Sequence, residues 1–454
     1  MLESRIRLGI RRSRVRKLLV TLLLLSVSAG ALERQSSADY RARRQRLAEA
    51  TKGGVVVLFA ATEAEGQNAV WGFHQDENFY YLSGWAEPGA ALVIAAAASD
   101  RPYTEILFLP SHNLSQEKWT GPKLGPEDLR APVLTGFDHV EALDMLRGEI
   151  ARLAPGPAAT VYSDLPAWNT ASPSAPGPLD WLRRSNAFPN YVSFHDLKPL
   201  LADLRVIKDA GEIELIRKAT DASIAGHLAA MHALHPGMSE REISALMQYE
   251  FGKRGCERPA YAPIVGAGFN STVLHYSEDS GRIEDGDVVV MDVAGEYSMY
   301  ASDITRTLPA NGHFTARQRE IYDIVLGAQR AAIAAFRADQ STLARSGPDS
   351  LYQIAYDYIN SHGKDLHGKP LGPYFIHGLS HYVGLEVHDP GDTTLRLAPG
   401  MVFTIEPGIY IPEEKLGVRI EDIFYVNKDD KLVDLTAALP HTADEVEKAM
   451  ASRP

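Results

Sequence analysis

At 454 residues, with 45% hydrophobic and 23% charged residues, the chain sits near globular averages, which excludes disordered and collagen-like organisation and points to two or three domains. Its net charge of −12 offers no basic face for phosphates, so nucleic acid is excluded as a default partner. A single cysteine, Cys256, cannot build an internal disulfide framework, and stability has to come from packed cores.

Residues 1–31 run against the overall charge, with seven basic residues from Arg5 to Lys17 against one acid, Glu3. An apolar run over 18–25 follows, then Ser26-Val27-Ser28-Ala29-Gly30-Ala31. This order of charge, apolar centre and small residues is the secretory signal pattern, with Ala29-Gly30-Ala31 as the cleavage site. The run falls short of the ~20 apolar residues of a spanning helix, so removal is expected over anchoring and no stable membrane span remains. Arg11-Arg12 raises a twin-arginine route, although the residues after the pair fit that motif poorly. The expected location is exported, periplasmic or secreted. Loss of the segment takes the net charge from −12 to −18, that of a soluble protein with no attraction to anionic membranes.

Next in the chain, residues 55–59, 92–94 and 106–109 read as buried strands, and 140–153 has helical periodicity. Together they predict one α/β domain over 38–195. An aromatic cluster at 71–85 (Trp71, Phe73, Phe79, Tyr80, Tyr81, Trp85) reads as core. The Pro- and Ser-rich run 169–178 reads as a surface loop, and 195–202 as a linker. Helices are expected at about 204–235, 239–254, 315–338 and 348–362, among strands punctuated by glycine, within a second domain over 204–440.

Five segments of that second half carry candidate ligands. Asp292 ends the β-branched run Val288-Val289-Val290-Met291. Asp303 precedes Ile304-Thr305-Arg306-Thr307 in what reads as another strand, and an antiparallel hairpin would present the two carboxylates together. His377 and His381 have the i, i+4 spacing of a helical metal pair, but the glycines and Val383 argue against a regular helix. One histidine is therefore expected to ligate metal and the others to line the site. Glu406 follows Val402-Phe403-Thr404-Ile405. Strand alternation puts Arg419 and Glu421 on one face and Val418, Ile420 and Asp422 on the other. A carboxylate on such an apolar strand is costly unless paired or metal-bound.

The order Asp, Asp, His, Glu, Glu, each in its local context, resembles the pita-bread metallopeptidases. The matching stretches are Asp292-Val-Ala-Gly-Glu-Tyr297, Ser302-Asp-Ile-Thr-Arg-Thr307, His377-Gly-Leu-Ser-His381, Thr404-Ile-Glu-Pro-Gly-Ile-Tyr410 and Val418-Arg-Ile-Glu-Asp422. Asn270-Ser-Thr-Val-Leu-His275-Tyr276 and Val387-His-Asp389 extend it, and the aromatic segment 71–85 resembles the N-terminal domain of proline-specific aminopeptidases. The resemblance is strong over 204–440, looser over 38–195, and greatest to Xaa-Pro aminopeptidases, with prolidases next. Val293-Ala294-Gly295 reorders the Gly and Ala common in the first motif, at positions that are not ligands.

The resemblance implies an α+β chain, a C-terminal pita-bread domain after a smaller α/β domain. It implies two divalent ions on Asp292, Asp303, His381, Glu406 and Glu421, with Asp303 and Glu421 bridging and a hydroxide shared between the ions. Four carboxylates and one imidazole favour Mn²⁺, with Zn²⁺, Co²⁺ or Fe²⁺ as other occupants. It gives Glu406 proton transfer, and gives His275, His377 and His388 substrate binding and stabilisation of developing negative charge. Arg419 and Tyr410 match positions that help hold ligands and substrate. The expected partners are peptides with proline second, and a homo-oligomer is expected. The alternatives are a prolidase, which cuts Xaa-Pro dipeptides, and a non-catalytic peptide-binding module on the same fold.

Overall fold

The computed structural model describes residues 33–63, 71–154, 159–165 and 192–452. The leader 1–31 and the run 169–178 lie outside them. No helix among the described residues is long and apolar enough to cross a membrane.

The N-terminal half is built on a six-stranded sheet in the order β4-β3-β2-β1-β5-β6. Its strands are β1 (Val55–Phe59), β2 (Ala91–Ala95), β3 (Thr104–Leu109), β4 (Val140–Ala142), β5 (Thr160–Ser163) and β6 (Ser193–Asp196). β1 and β2 are near-continuous apolar runs because both faces of the sheet are covered. On one face Val56, Leu58, Leu92 and Ile94 pack with Leu47 of helix α1 (Ser37–Ala50) and with Phe79, Tyr80, Tyr81 and Leu82. On the other, Val55, Val57, Val93 and Phe108 pack with Leu146, Ile150 and Leu153.

Of the aromatic cluster expected to be core, Phe79, Tyr80 and Tyr81 lie on helix α2 (Glu77–Ser83) and are buried, whereas Phe73 and Trp85 are half-buried outside it and Trp71 is 43% exposed. Asp76 caps the helix by accepting from the Phe79 amide, and Gly84 ends it in the left-handed region at φ 65°. The expected helix at 140–153 begins instead as the short strand β4, and only Leu146–Leu153 forms α-helix, α3. The expected linker at 195–202 is not one. β6 lies at the sheet edge, paired on one side only, so its polar residues meet solvent without cost. Pro199, within the expected linker, occupies the first turn of helix α4 (Lys198–Arg205), where its missing N–H needs no partner. The single helix expected at 204–235 is likewise broken. Asp209 starts a new one, α5 (Ala210–Ala233), with a reciprocal capping box to Glu212.

In the C-terminal half, helices α6 (Glu240–Lys253), α7 (Ala316–Ala335), α8 (Leu351–Ser361) and α9 (Ala443–Ala451) accompany small antiparallel sheets. One sheet has the order β12-β9-β8, from β8 (Ile264–Ala267), β9 (Val288–Asp292) and β12 (Thr305–Pro309). Another is β11-β10-β7, from β7 (Arg258–Pro259), β10 (Gly295–Tyr297) and β11 (Tyr300–Ala301). β13 (Val402–Ile405), β16 (Asp422–Val426) and β17 (Leu432–Asp434) form a third, and β14 (Gly408–Ile411) with β15 (Leu416–Arg419) a fourth. The apolar faces of these strands and helices meet in one core, in which Met247, Val289, Met291, Val325, Phe403 and Val418 are buried. The core behind α2 also takes in Met299, Tyr300, Val383, Val402 and Ile423 of this half.

Candidate metal centre

β9 and β12 pair antiparallel with Asp292 opposite Thr305, so the expected hairpin is present, with a second one inserted in it. Between them the chain runs out through β10 and back through β11, turning at Ser298 and Met299, both left-handed at φ 52° and 71°. Asp303 lies just before β12 rather than within a strand. Ile304 is drawn the other way, into a small cluster with Ile224 and Leu439, which leaves the Asp303 carboxylate facing Asp292's end of the sheet. Glu406 follows β13. Glu421 sits between β15 and β16 and makes an isolated bridge to Thr305. Arg419 and Glu421 face the cleft while Asp422 turns away to Arg306, 2.6 Å distant, as strand alternation requires.

His381 is carried by the irregular segment before β13. Its Nδ1–H donates to the Tyr382 carbonyl at 3.1 Å, which leaves Nε2 aimed at the acids. Nε2 lies 3.3 Å from Asp303 Oδ2, 3.2 Å from Glu406 Oε1 and 3.9 Å from Glu421 Oε1. Ligand atoms of Asp303, His381 and Glu421 all fall within 4.8 Å of one another. Asp292 borders the same cleft, which also takes in His275, His377, His388 and Arg419 and has a volume of about 300 Å³, the lower end of the small-ligand range.

Burial pushes Asp303 up to about 6, with Asp292 and Glu406 adding to the rise and His381 opposing it. Burial and the charges of Asp303, Glu406 and Asp292 hold Glu421 well above the usual range. Burial would pull His381 down, but its hydrogen bonds to Asp303 and Glu406 hold it well above normal. Four carboxylates crowded around one imidazole in a buried cleft form a site short of positive charge. Hard oxygen donors with one nitrogen fit divalent cations.

Among the described residues Arg419 is the one guanidinium lining the cleft, and all three of its nitrogens have protein partners. Nη2 donates to Asp292 Oδ2 at 2.7 Å, Nε to Thr305 Oγ1 at 3.0 Å, and Nη1 to the Tyr410 hydroxyl at 2.8 Å. The Tyr410 hydroxyl is also 2.8 Å from His377 Nε2. His377 Nδ1–H donates to the Gly378 carbonyl at 2.7 Å, so Nε2 is the acceptor and Tyr410 donates to it. Burial holds His377 below its usual pKa, consistent with that neutral ring. Arg419, Tyr410 and His377 thus form a directed chain ending beside Glu406. His275 and His388 are exposed at the cleft, and the His388 ring meets His381 edge-on at 4.2 Å between centroids.

Sequence reasoning did not single out several residues that fix this geometry. Tyr261 donates to Asp292 Oδ1 at 2.6 Å, and Thr305 to Glu421 Oε2 at 2.6 Å. Glu240, fully buried, clasps the loop bearing His275. Its Oε1 accepts from the Ala267 amide at 2.8 Å and Asn270 Nδ2 at 2.9 Å. Its Oε2 accepts from the Tyr276 hydroxyl at 2.8 Å and the Gly281 amide at 2.6 Å. For Thr305 the only signal was its place beside Asp303. Tyr261 and Glu240 carried none.

A family model described as metallopeptidase family M24 matches residues 214–428, and one described as aminopeptidase P, N-terminal domain, matches 40–162. The Xaa-Pro aminopeptidase of Escherichia coli (strain K12) is 33% identical over 440 residues, covering 91% of this chain and 98% of its own. Xaa-Pro aminopeptidase 3 of Homo sapiens is 32% identical over 460 residues, covering 91% of this chain and 86% of its own. Among solved structures, E. coli aminopeptidase P with the inhibitor Pro-Leu superposes at a TM-score of 0.80, with 30% identity over 92% of this chain and 99% of that one. Proline aminopeptidase P II from Yersinia pestis gives 0.78, with 30% identity over 92% and 100%.

Proposed function

The chain belongs to metallopeptidase family M24, with the aminopeptidase P N-terminal domain ahead of a pita-bread domain, and from that premise we propose that it removes the first residue of peptides whose second is proline. The observation that carries this reading is the convergence of Asp303, His381, Glu406 and Glu421, with Asp292 beside them, from separate segments on one cleft. In this reading those five residues would hold two divalent ions. Mn²⁺ is favoured by the donor set, and Zn²⁺, Co²⁺ and Fe²⁺ are the other occupants. Bound there, such ions supply Lewis-acid polarisation of the scissile carbonyl and a lowered pKa for water.

The chain's own residues supply the rest. Burial would raise Glu406, yet the His381 hydrogen bond and the charges of His381 and Arg419 keep it below its usual pKa. It is therefore ionised at neutral pH and able to take a proton from water, then give it to the proline nitrogen as the bond breaks. That nitrogen carries no hydrogen in the substrate, so the site needs no acceptor for it. His377, oriented by Tyr410, and the exposed imidazoles of His275 and His388 are assigned to substrate binding and to the charge that develops on the carbonyl oxygen. Arg419 holds Asp292 and Tyr410 in place for both tasks. The proposal extends to an exported location, on the pattern of residues 1–31, and to a homo-oligomer, on the family resemblance.

The test is product analysis after Mn²⁺ loading, with matched Xaa-Pro-Yaa and Xaa-Pro peptides and Asp303→Ala as control. Release of Xaa from the tripeptide, lost in the control, is the expected result. Cleavage of the dipeptide alone would make the protein a prolidase, and cleavage of neither would leave a peptide-binding module.

A further inference from the structure

His388 stands over the cleft without an anchor of its own, since its imidazole makes no hydrogen bond among the described residues. Its place therefore depends on the backbone that carries it. That backbone is a tight loop beginning next to His381, in which the Asp389 amide returns to the Tyr382 carbonyl at 2.9 Å. The Asp389 carboxylate is folded inside the loop and fully buried. Its Oδ1 accepts from the Glu386 amide at 3.2 Å and from Arg205 Nη2 at 2.7 Å, and its Oδ2 accepts from Lys208 Nζ at 2.9 Å. Position 384 leaves room for this carboxylate only as glycine, because a Cβ there would lie 2.5 Å from Asp389 Oδ2.

We propose that Asp389 is a positioning residue for His388, clamped by Arg205 and Lys208 so that the imidazole keeps its place over the cleft. The inference rests on the peptidase reading above. Both cations are as buried as the carboxylate, with side-chain exposures of 2% for Arg205 and 1% for Lys208. Burial works against an ionised Asp389, and Lys208 and Arg205 overcome it, keeping the carboxyl below its usual pKa. One carboxylate against two cations is a directional clamp, because removing it strands the buried Lys208 ammonium and leaves Arg205 only the half-exposed Glu386 at 3.0 Å as its ion partner.

The clamp is also anchored outside the catalytic half. Arg205 Nη1 donates to Asn78 Oδ1 at 2.8 Å, and Asn78 Nδ2 donates to Asp164 Oδ2 at 3.3 Å. The Lys208 amide donates to the Gly400 carbonyl at 2.8 Å, just ahead of β13. The loop between the His381 and His388 rings is thus registered both to the strand leading to Glu406 and to the N-terminal sheet.

The test is a double-mutant cycle on the full-length, metal-loaded protein: wild type, Asp389→Asn, His388→Ala and the pair. It reads kcat and KM on an Xaa-Pro-Yaa tripeptide, with metal content and Tm recorded beside them. Asp389→Asn is expected to lower kcat/KM about 10²-fold, chiefly through kcat, as a displaced reacting group does. In the His388→Ala background the same change should cost no more than about twofold, because the group it positions is already gone. An equal loss in both backgrounds overturns the proposal, since Asp389 would then serve the fold alone. If Asp389→Asn yields no folded protein, Lys208→Met, which keeps the Arg205 contact, is carried through the same cycle and judged by the same criterion. Wild-type protein that cleaves no Xaa-Pro peptide would instead overturn the peptidase reading, and this inference with it.

Discussion

Thr305 places one hydroxyl between two charges, donating to Glu421 Oε2 and accepting from Arg419 Nε. Asp292 is held likewise from two sides, by Arg419 and Tyr261. Groups that orient a ligand carboxylate typically contribute about 10–100-fold in metal affinity. Tyr261→Phe is expected to weaken Mn²⁺ binding about tenfold with little change in fold. Calorimetric titration checks this, and unchanged affinity would mean that Arg419 alone orients Asp292. Protonation supplies a second prediction. Without metal, Asp303 titrates at about 6, above its unfolded value. A carboxyl raised on folding contributes stability that is fully present below the unfolded pKa and lost as pH rises through the folded one. Metal-stripped protein should therefore lose Tm as pH climbs from about 4 through about 6, while the gain in Tm on metal loading grows over the same window. Calorimetry with and without chelator measures that gap, and a flat gap would refute the carboxylate crowding. The five donor candidates were legible through the order and local context of their motifs; the four carboxylates lie beside short apolar or β-branched stretches, whereas His381 sits in a glycine-punctuated segment that no such run marks. Tyr261 and Thr305 were not, because their partners lie 31 and 116 residues away.

Among the elements, the strands that read correctly include those buried on both faces, β1, β2, β3 and β9, where composition alone carries the signal. The failures came where position outweighed composition. β6 is polar because it is an edge, and Pro199 belongs to a first helical turn rather than a linker. The hairpin of Asp292 and Asp303 was legible, but not the excursion through β10 and β11, because nothing local announces two left-handed residues at 298 and 299. Close approach of elements was equally hidden. β15 crosses the turn before His275 so tightly that a Cβ at Gly417 would lie 1.9 Å from the Ser271 carbonyl oxygen, and the Gly417 amide donates to Ser271 Oγ at 2.8 Å. Gly417→Ala is expected to destabilise the protein by about 1–3 kcal/mol, the usual cost of overpacking. Denaturant melts would register it as a lower midpoint at unchanged slope. A change below a few tenths of a kcal/mol would mean that the turn yields freely.

At the scale of the whole molecule, the two halves share a core. Tyr81 and Leu82 of α2 are buried in the same cluster as Met299, Tyr300, Val402 and Ile423. Arg43, with no exposed side-chain surface, reaches from α1 to Asp209 at 2.7 Å and Glu212 at 3.3 Å, at the start of α5. A fragment beginning at residue 204 would expose that apolar face and strand these acids. It is expected to aggregate, whereas the intact protein unfolds in one calorimetric transition; a soluble, cooperatively melting fragment would contradict this. The domain boundary read from sequence rests on an expected linker at 195–202 and the helical pattern after it, and neither reveals a core that spans it. Glu240 shows how unequal the constraint on different positions is. It offers two acceptor oxygens to four donors on both sides of the His275 loop, and glutamine would turn one of those oxygens into an amide facing two donors. Substitution should therefore be nearly forbidden at 240 and permissive at the exposed positions 273, 277 and 278, so that the outer loop can diverge between lineages while its attachment stays unchanged.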